Sequence, residues 1–259
     1  MTARIYSLVN QKGGVGKTTS VINLGANLAN LGQRVLIVDL DPQANATSCL
    51  GVDKHTVTKG TYETILGLVQ PASALLANPT LGLTLLPASP ALAGAEVELV
   101  DQQGRENKLK NTLEQVSGMF DYILIDCPPS LSLLTVNALL ASTDGVIIPV
   151  QCEYLALEGV GQLVQTIQKV QRVSPTLKVR GVIMTMFESR ANLSTDVVDE
   201  IKKYFPNQVF QSIIPRSIRL AEAPSYGLPI TIYAPSSSGA VAYASLAKEL
   251  LQGDGVSAK

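Results

Sequence analysis

The chain has 259 residues, of which 46% are hydrophobic, and this is enough to bury the core of one large domain. Its net charge of -1 excludes a uniformly basic nucleic-acid-binding chain, so contacts with a polyanion would require a local basic patch. The three cysteines, Cys49, Cys127 and Cys152, lack the spacing of a metal site or a disulfide framework and fit structural thiols in a reducing cytosol.

Short apolar runs alternate with longer helical patterns along the chain. Strands are predicted at 4–10, 34–40, 83–88, 122–127, 145–150, 179–187 and 208–215, and helices at 17–31, 105–117, 131–142, 156–173, 194–204 and 238–251. Several strands are apolar on both faces, as in a sheet that helices cover on both sides. This order predicts an α/β fold with a doubly wound, mostly parallel sheet flanked by helices.

The expected organisation is a single domain over residues 1–252, followed by a disordered tail at 253–259. Residues 52–80, rich in threonine, proline and alanine, are expected to form short helices and loops. No basic segment with a cleavage site starts the chain, and no apolar run reaches the ~18 to 20 residues that span a bilayer. The sequence therefore predicts a cytoplasmic protein without a membrane segment.

A glycine-rich string, NQKGGVGKTT at 10–19, follows the first predicted strand and opens the first predicted helix. Glycines let backbone N–H groups converge on phosphate oxygens, and the helix adds the positive end of its dipole. Lys17 is placed to neutralise the β- and γ-phosphates, Thr18 to bind magnesium, and Thr19 to contact the α-phosphate. The predicted phosphate-binding loop therefore comprises Gly13, Gly14, Val15, Gly16, Lys17, Thr18 and Thr19.

The same string departs from the strict phosphate-loop pattern, G-x-x-x-x-G-K-[ST]. Gln11 stands where that pattern has its first glycine. The string instead fits x-K-G-G-x-G-K-[ST], a deviant loop that has a second lysine, Lys12. A glycine-rich turn with incidental lysines is disfavoured, because a predicted strand precedes the loop and a predicted helix follows it.

Aspartates end two of the other predicted strands. Asp39 and Asp41 lie at the end of the second strand, in LIVDLDPQANAT, and Asp126 ends a later strand in YILIDCPPS. Ligands of doubly wound sheets bind beyond the carboxyl ends of the strands, where an aspartate beside a phosphate loop is the usual partner of magnesium. A lone aspartate is more often a turn former. Three aspartates beside this loop favour a metal site, for which Asp126 fits well.

Six strings across nearly the whole chain resemble the ParA/MinD family of deviant P-loop ATPases, and within it the short chromosomal ParA type. They are QKGGVGKTT (11–19), VDLDPQANAT (38–47), YILIDCPPSL (122–131), PVQCEYLALEG (149–159), MTMFESRANLS (184–194) and IPRSIRLAEAPSYGLPI (214–230). The resemblance implies an ATP-dependent, magnesium-dependent homodimer that holds two nucleotides between its subunits.

In that family picture Lys12 reaches across the interface to the partner's ATP. It acts like an arginine finger, although a lysine offers a point charge in place of a fork. Asp41 matches the residue that orients or activates the attacking water, and Asp39 supports the magnesium shell. The resemblance thus implies a catalytic set of Lys12, Lys17 and Asp41 and a magnesium set of Thr18, Asp39 and Asp126.

The resemblance also implies that the ATP-bound dimer binds double-stranded DNA without sequence preference. The matching positions are Arg190 and Arg219, and the patch would be extended by Arg216, Lys202 and Lys203. An isolated surface arginine is usually only solvated, but contacts doubled by dimerisation can bind usefully and with steep salt dependence. No helix-turn-helix extension precedes the core, so operator binding is not expected.

Further properties follow from the same resemblance. Hydrolysis of ATP would be slow and stimulated by a ParB-type partner, and the protein would associate with the nucleoid to segregate a chromosome or plasmid. Pro215 and Arg216 are expected to border the adenine, and both would belong to the nucleotide site. Glu153 lies in a segment, 152–159, that resembles part of the dimer interface. Loop and helix-cap roles stay open for these residues.

Four alternatives share parts of this site. A MinD-like membrane-cycling ATPase would end in a basic amphipathic helix, whereas the last predicted helix has one lysine, Lys248, balanced by Glu249. A family member that positions another cargo on the nucleoid would have the same sequence features. A metal-cluster reductase would require paired cysteines at a subunit interface. A scaffold with an inactive site is disfavoured by the joint presence of Lys12, Lys17, Thr18, Asp41 and Asp126.

Overall fold

The bounds of the elements come from a computed structural model that describes residues 2–153 and 156–256, the side chains of 156–160 excepted. The strands are β1 (Arg4–Leu8), β2 (Val35–Asp39), β3 (Leu76–Asn78), β4 (Leu83–Leu86), β5 (Tyr122–Asp126), β6 (Gly145–Gln151) and β7 (Val179–Thr185). The α-helices are α1 (Lys17–Asn30), α2 (Asn45–Cys49), α3 (Thr61–Ile65), α4 (Leu92–Glu98), α5 (Lys108–Glu114), α6 (Leu133–Ala141), α7 (Ala156–Gln171), α8 (Asn192–Tyr204), α9 (Ile218–Glu222), α10 (Ile230–Tyr233) and α11 (Ser238–Gly253).

The seven strands form one sheet in the order β3-β4-β2-β5-β1-β6-β7. All neighbouring pairs are parallel except β3 with β4, which are antiparallel. β5 is buried throughout and hydrophobic in every residue before Asp126, as expected for a strand that helices cover on both faces. The predicted fold class, a doubly wound and mostly parallel sheet flanked by helices, is therefore confirmed.

Alternate residues of the strands enter two separate core layers. Ile123 and Ile125 of β5 join the layer formed with apolar side chains of α5, α6, α7 and α8. Tyr122 and Leu124 join the layer formed with α1, α10 and α11. The alternation follows from the period of two along a strand, which directs successive side chains to opposite faces.

Two segments differ from the sequence-based expectations. Residues 208–215, predicted as a strand, form only isolated bridges to the β7 side, at Val182 with Val209 and at Phe187 with Pro215. The reason is that the N–H groups of residues 211 and 212 donate to the carboxylate of Glu249 on α11 and so leave the sheet. The region expected to form only short helices and loops also contains the strand β3. Its three residues are too few to show the two-residue period of a strand, so the sequence did not predict it.

The position of β1 in the sheet determines where a ligand is expected to bind. β1 lies between β5 and β6, and the chain passes from β1 through α1 to β2 on the far side of β5. Ligands of doubly wound sheets bind at such a reversal of strand order, beyond the carboxyl ends of the strands. The loop between β1 and α1 lies at this point. Among the helices described, none is long and apolar enough to cross a bilayer.

Asp254, directly after α11, connects this helix to β1, β5 and β7 near the amino ends of the strands. The hydroxyls of Tyr6 and Tyr122 donate to its two carboxylate oxygens at 3.0 and 2.9 Å, and Arg180 Nε donates at 2.9 Å. Burial, followed by the charge of Asp254, raises the pKa of both tyrosines, so they stay protonated donors. The structured chain thus continues past the expected boundary at residue 252, because Asp254 holds these partners. Residues 257–259 of the expected tail lie outside the described residues.

Replacing Asp254 by alanine is expected to lower the free energy of unfolding by about 3 kcal/mol, since it leaves a largely buried arginine without its counter-charge. Arg180 has a side-chain exposure of only 18%. Urea denaturation measures the loss. Asp196→Ala, at an exposed position of α8, is the matched control and should change stability by less than about 0.5 kcal/mol. Equal losses for the two variants would contradict the role given to Asp254.

Candidate functional site

The loop between β1 and α1 is braced by the two strands on one side of β1. The Asn10 side chain donates to the carbonyl oxygen of Pro149 at 2.8 Å and accepts from the backbone N–H of Lys12 at 3.0 Å. The Thr185 hydroxyl, at the end of β7, donates to the carbonyl oxygen of Val15 at 2.8 Å. The loop is therefore held in one conformation by side chains from outside it.

The glycines of the loop leave its backbone open to a ligand. Gly14 and Gly16 have φ angles of 75° and 88°, in the left-handed region that favours glycine. A Cβ atom added at Gly13 or Gly14 would meet nothing within 4 Å, so both backbones face open space. The residue that caps the start of α1 is Gly16, which has no side chain to accept hydrogen bonds from the N–H groups of the first turn. The free N–H groups at this helix start fit an anion such as a phosphate.

Lys17, the first residue of α1, lies folded back along the loop. Its side chain is buried, and Nζ donates to the carbonyl oxygen of Lys12 at 3.1 Å. Burial lowers the pKa of Lys17, and the nearby charge of Asp126 opposes this shift. The ammonium group is thus held beside the exposed glycine backbone, where a phosphate would replace the carbonyl oxygen as its partner.

Thr18 and Asp126 meet beneath the loop. The Thr18 hydroxyl donates to Asp126 Oδ2 at 2.7 Å, whereas the other oxygen, Oδ1, is buried without a hydrogen-bond partner among the described residues. Burial, and then the charge of Asp39, raise the pKa of Asp126. A cation would remove both penalties, so this pair fits magnesium. No cluster of three or more acidic, histidine or cysteine ligands occurs in the described part of the chain, and Mg²⁺ commonly completes such a site with substrate phosphates.

The two aspartates that follow β2 differ in what they face. Asp39 is fully buried, and its carboxylate accepts from the backbone of Asp41 and from both the backbone and the hydroxyl of Thr47. Burial raises its pKa, which the hydrogen bonds from Thr47 oppose. Asp41 lines the open cleft beside the phosphate loop. The structure thus brings Asp41 to the cleft and leaves Asp39 behind it, next to its register partner Asp126.

A cleft of about 430 Å³ lies beside the phosphate loop. Its walls are the start of α1, the residues after β2, and the segment 223–228. Sequence reasoning missed several of its lining residues, among them Asn23 and Met186, because neither of these belongs to a motif with a known spacing. Asn23 donates to the carbonyl oxygen of Thr19 at 2.8 Å and accepts from the N–H of Ile230 at 2.7 Å, which joins α1 to the start of α10. The lining residues include Gly13, Lys17, Thr18, Asn23, Asp41, Met186, Pro224 and Leu228.

Lys12 differs from Lys17 in its surroundings. It does not line the cleft of its own chain, and within the described residues its ammonium group forms no hydrogen bond or ion pair. Its backbone alone takes part in the loop, through Asn10 and through Lys17. The second lysine of the loop is therefore held at its base, and its charged end has no partner in the part of the chain that the structure describes.

Pro215 and Arg216 line a smaller cavity of about 210 Å³, which shares Thr19 and Met186 with the main cleft. The guanidinium of Arg216 forms ion pairs with Glu153 at 2.9 Å and with Glu188. The structure therefore places Glu153 against an arginine of its own subunit. Residues 154 and 155 of the expected interface segment lie outside the described residues, as do the side chains of 156–159.

The predicted DNA-binding residues fall into two groups. Arg190 is exposed in the turn after β7, and Arg219 is exposed on α9 and paired with Glu222 at 2.9 Å. The two segments are neighbours, because the bridge of Phe187 with Pro215 lies between them. Lys202 lies ten residues after α8 begins, about 15 Å along its axis, with Lys203 beside it. The structure thus brings the arginine segments together and leaves the lysine pair apart.

The mostly parallel sheet, the glycine loop after β1 and the Thr18–Asp126 pair define a nucleoside-triphosphate-binding protein of the P-loop class, in the deviant form with two lysines. A family profile described as AAA domain matches residues 3–179. The chain belongs to the ParA/MinD family of deviant P-loop ATPases, in its Soj/ParA group, as the following relatives show.

The Sporulation initiation inhibitor protein Soj of Bacillus subtilis is 51% identical over 248 residues, which cover 95% of this chain and 98% of that protein. The Chromosome partitioning protein ParA of Myxococcus xanthus is 51% identical over 253 residues, with coverage of 97% and 89%. A crystal structure of Cobyrinic Acid a,c-diamide synthase from Mycobacterium smegmatis, with an ATP analogue and magnesium bound, is 42% identical with a TM-score of 0.86. It covers 96% of this chain and 95% of that chain. The predicted family is confirmed.

Proposed function

We propose that this protein is a DNA-partitioning ATPase, whose ATP-bound homodimer binds DNA without sequence preference and releases it after hydrolysis. The observation that carries the proposal is the contrast between the two lysines of the loop. Lys17 lies buried beside its own phosphate site, whereas Lys12 has a charged end without a partner in the described part of its own subunit. A site of this form is completed by a second copy of the chain.

The nucleotide would be ATP with magnesium. The glycine backbone and Lys17 would bind the phosphates, while Thr18 and Asp126 would hold the ion. Magnesium would neutralise charge on the β- and γ-phosphates, which is the main requirement of phosphoryl transfer. The open backbone at Gly13 and Gly14 and the unpartnered oxygen of Asp126 support this assignment. Pro215 and Arg216, in the adjoining cavity, would border the adenine.

Hydrolysis would require a placed water molecule. Asp41 is the acidic residue after β2 that lines the cleft, so it would orient this water or accept its proton. Asp39 would support the magnesium region from behind, through its charge beside Asp126. Lys12 of the second subunit would add positive charge at the γ-phosphate as the transition state forms, so turnover would depend on dimerisation.

DNA binding would depend on the arginine segments that follow β7 and enter α9. Each subunit contributes few positive charges there, because Arg216 is shared between Glu153 and Glu188 and Arg219 pairs with Glu222. Two such patches in one dimer would bind DNA far more tightly than one, with strong salt dependence. Lys202 and Lys203 would add a separate contact, if the DNA reaches the end of α8.

The partner and cargo follow from the family. A ParB-type protein would stimulate slow hydrolysis, and the protein would act at the nucleoid in the cytoplasm. The 51% identity with a protein named for chromosome partitioning favours a chromosome as the cargo over another cargo carried on the nucleoid. It also favours partitioning over the amidation that the name of the 42% identical structure implies.

The double variant Arg190→Glu and Arg219→Glu is expected to lower ATP-dependent retention on DNA by at least about tenfold at moderate salt, because it reverses charges that contact phosphates. Retention is measured with a non-specific duplex on a biosensor surface, with and without Mg-ATP. ATP hydrolysis without DNA should stay within about twofold, since neither residue lines the cleft.

The matched control is Arg172→Glu with Lys178→Glu, two exposed residues that precede the amino end of β7 and so lie at the opposite edge of the sheet. This variant has the same change in net charge. If both double variants lose retention equally, the effect belongs to net charge and the patch assignment is wrong. If neither loses retention, DNA is bound elsewhere.

A further inference from the structure

The turn that follows β2 lies between the open cleft and the buried core, and several hydrogen bonds hold its shape. Asp41 Oδ1 accepts from the backbone N–H of Gln43 at 2.9 Å, and the backbone carbonyl oxygen of Asp41 accepts from the N–H of Ala44 at 2.8 Å. The turn therefore closes around Asp41. Ala44 has a φ of 51°, a left-handed conformation that costs free energy for a residue other than glycine. Such a turn keeps its shape only where neighbouring groups fix it.

The neighbouring groups converge on the carboxylate of Asp39. Its Oδ1 accepts from the N–H of Asp41 at 3.2 Å, and its Oδ2 accepts from Thr47 twice, from the backbone N–H at 2.8 Å and from the hydroxyl at 2.7 Å. Asp39 and Thr47 are both fully buried. One carboxylate thus joins the start of the turn to its end.

The hydroxyl of Thr47 extends this connection to the next strand. It donates to Asp39 and at the same time accepts from the N–H of Ala88, just after β4, at 2.9 Å. A second threonine, Thr61, donates to the backbone carbonyl of Asp39 at 2.7 Å. Because a hydroxyl offers one donor and two acceptor positions, Thr47 can link an acidic group to a backbone N–H in a way that valine cannot.

We propose that Thr47 is a positioning residue for ATP hydrolysis, which fixes the Asp39 carboxylate and through it the turn that presents Asp41 to the cleft. The inference rests on the proposed function of Asp41 and extends it to a residue that does not line the cleft. It also defines what Asp39 does, since the oxygens of this carboxylate hold the turn while Thr18 and Asp126 face the magnesium position.

Thr47→Val keeps the shape of the side chain and removes its hydroxyl. It leaves the N–H of Ala88 and one bond of Asp39 unsatisfied in a buried region, so the turn loses its fixed position. We expect the kcat for Mg-ATP hydrolysis to fall by about tenfold or more, while the Kd for a fluorescent ATP analogue stays within about threefold. Thr47→Ser, which restores the hydroxyl, should recover at least about half of the wild-type kcat.

The matched control is Thr112→Val on α5, where a hydroxyl on another buried threonine donates to the carbonyl oxygen of Lys108 at 2.9 Å. This variant should keep its kcat within about twofold. A Thr47→Val enzyme as active as Thr112→Val would overturn the inference, as would a Thr47→Ser enzyme as slow as Thr47→Val. If Thr47→Val does not fold, Thr47→Ala provides the same test, because it places no methyl group against the carboxylate.

Hydrogen exchange in the nucleotide-free protein separates this inference from the proposed function. The backbone amides of residue 41 and of residues 43–47 should exchange at least about tenfold faster in Thr47→Val than in Thr112→Val, whether or not ATP is hydrolysed. Unchanged exchange overturns the positioning role. A wild-type protein that binds Mg-ATP and hydrolyses none, with or without DNA, would instead refute the proposed function, even where the exchange result shows that Thr47 fixes the turn.

Discussion

Lys12→Ala is expected to reduce ATP turnover by about a thousandfold and to abolish ATP-dependent dimerisation, while the monomer still binds ATP. The magnitude is the lower end of what a cationic group supplied in trans contributes to phosphoryl transfer. ATP binding should persist because Lys12 does not line the cleft of its own subunit, whereas Lys17 does. Turnover, sedimentation and nucleotide binding measure the three properties separately. Lys59→Ala, at an exposed lysine outside the loop, is the control.

A mixture of two inactive variants tests whether Lys12 acts across the interface. In a mixed dimer of Lys12→Ala with Asp41→Ala, one site has its own Asp41 and receives Lys12 from the second subunit. Random association would make half of the dimers mixed, each with one complete site, so about a quarter of the wild-type rate is the upper limit. Because Lys12→Ala impairs dimerisation, we expect a recovery below this limit but above the rate of either variant alone. Were Lys12 to act within its own subunit, neither site would be complete and no activity would return.

Asp41→Ala is expected to reduce hydrolysis by at least about a hundredfold, as loss of a positioned general base does. Binding of ATP, dimerisation and DNA retention should survive, since the phosphate loop, Lys12 and the arginine segments are intact. The variant should therefore accumulate as an ATP-bound dimer on DNA, which quantification of bound nucleotide after isolation on DNA measures.

The control for Asp41→Ala is Asp53→Ala, in the exposed loop after α2, which should hydrolyse ATP at the wild-type rate. Rapid loss of ATP from the Asp41→Ala complex would contradict the role given to this residue. A complex that retains ATP and still leaves DNA at the wild-type rate would show that release does not depend on hydrolysis. Isolation of the trapped complex from native lysate would also identify the partner and the DNA that it holds.

The phosphate loop was predictable because its information is local. Gly14, Gly16, Lys17 and Thr18 are contiguous or nearly so, and the backbone geometry that they require is read from residue type alone. The meeting of Thr18 with Asp126 was predictable for a different reason. Parallel strands end at one edge of a sheet, so an aspartate that ends β5 lies beside the loop that follows β1.

The direction in which Asp39 faces was not predictable in the same way. Asp39 and Asp41 are two residues apart and look alike as aspartates at a strand end. What separates them is Thr47, whose hydroxyl donates to Asp39 and accepts from the N–H of Ala88, a residue that comes within reach only after β2 and β4 pair. The ion pairs of Arg216 with Glu153 and Glu188 have the same origin in tertiary contact.

The sequence alone determined the class of the protein, its alternation of strands and helices, and the glycine-rich loop at which a phosphate is expected to bind. These follow from periodicity and from a motif whose function depends on neighbouring residues. The tertiary structure decided which aspartate faces the cleft and that Lys12 lies outside the cleft of its own subunit. It also decided that Asp254 connects α11 to the amino ends of the strands. Each of these depends on contacts between residues far apart in the chain, whose partners are chosen by packing and charge only after the strands have paired.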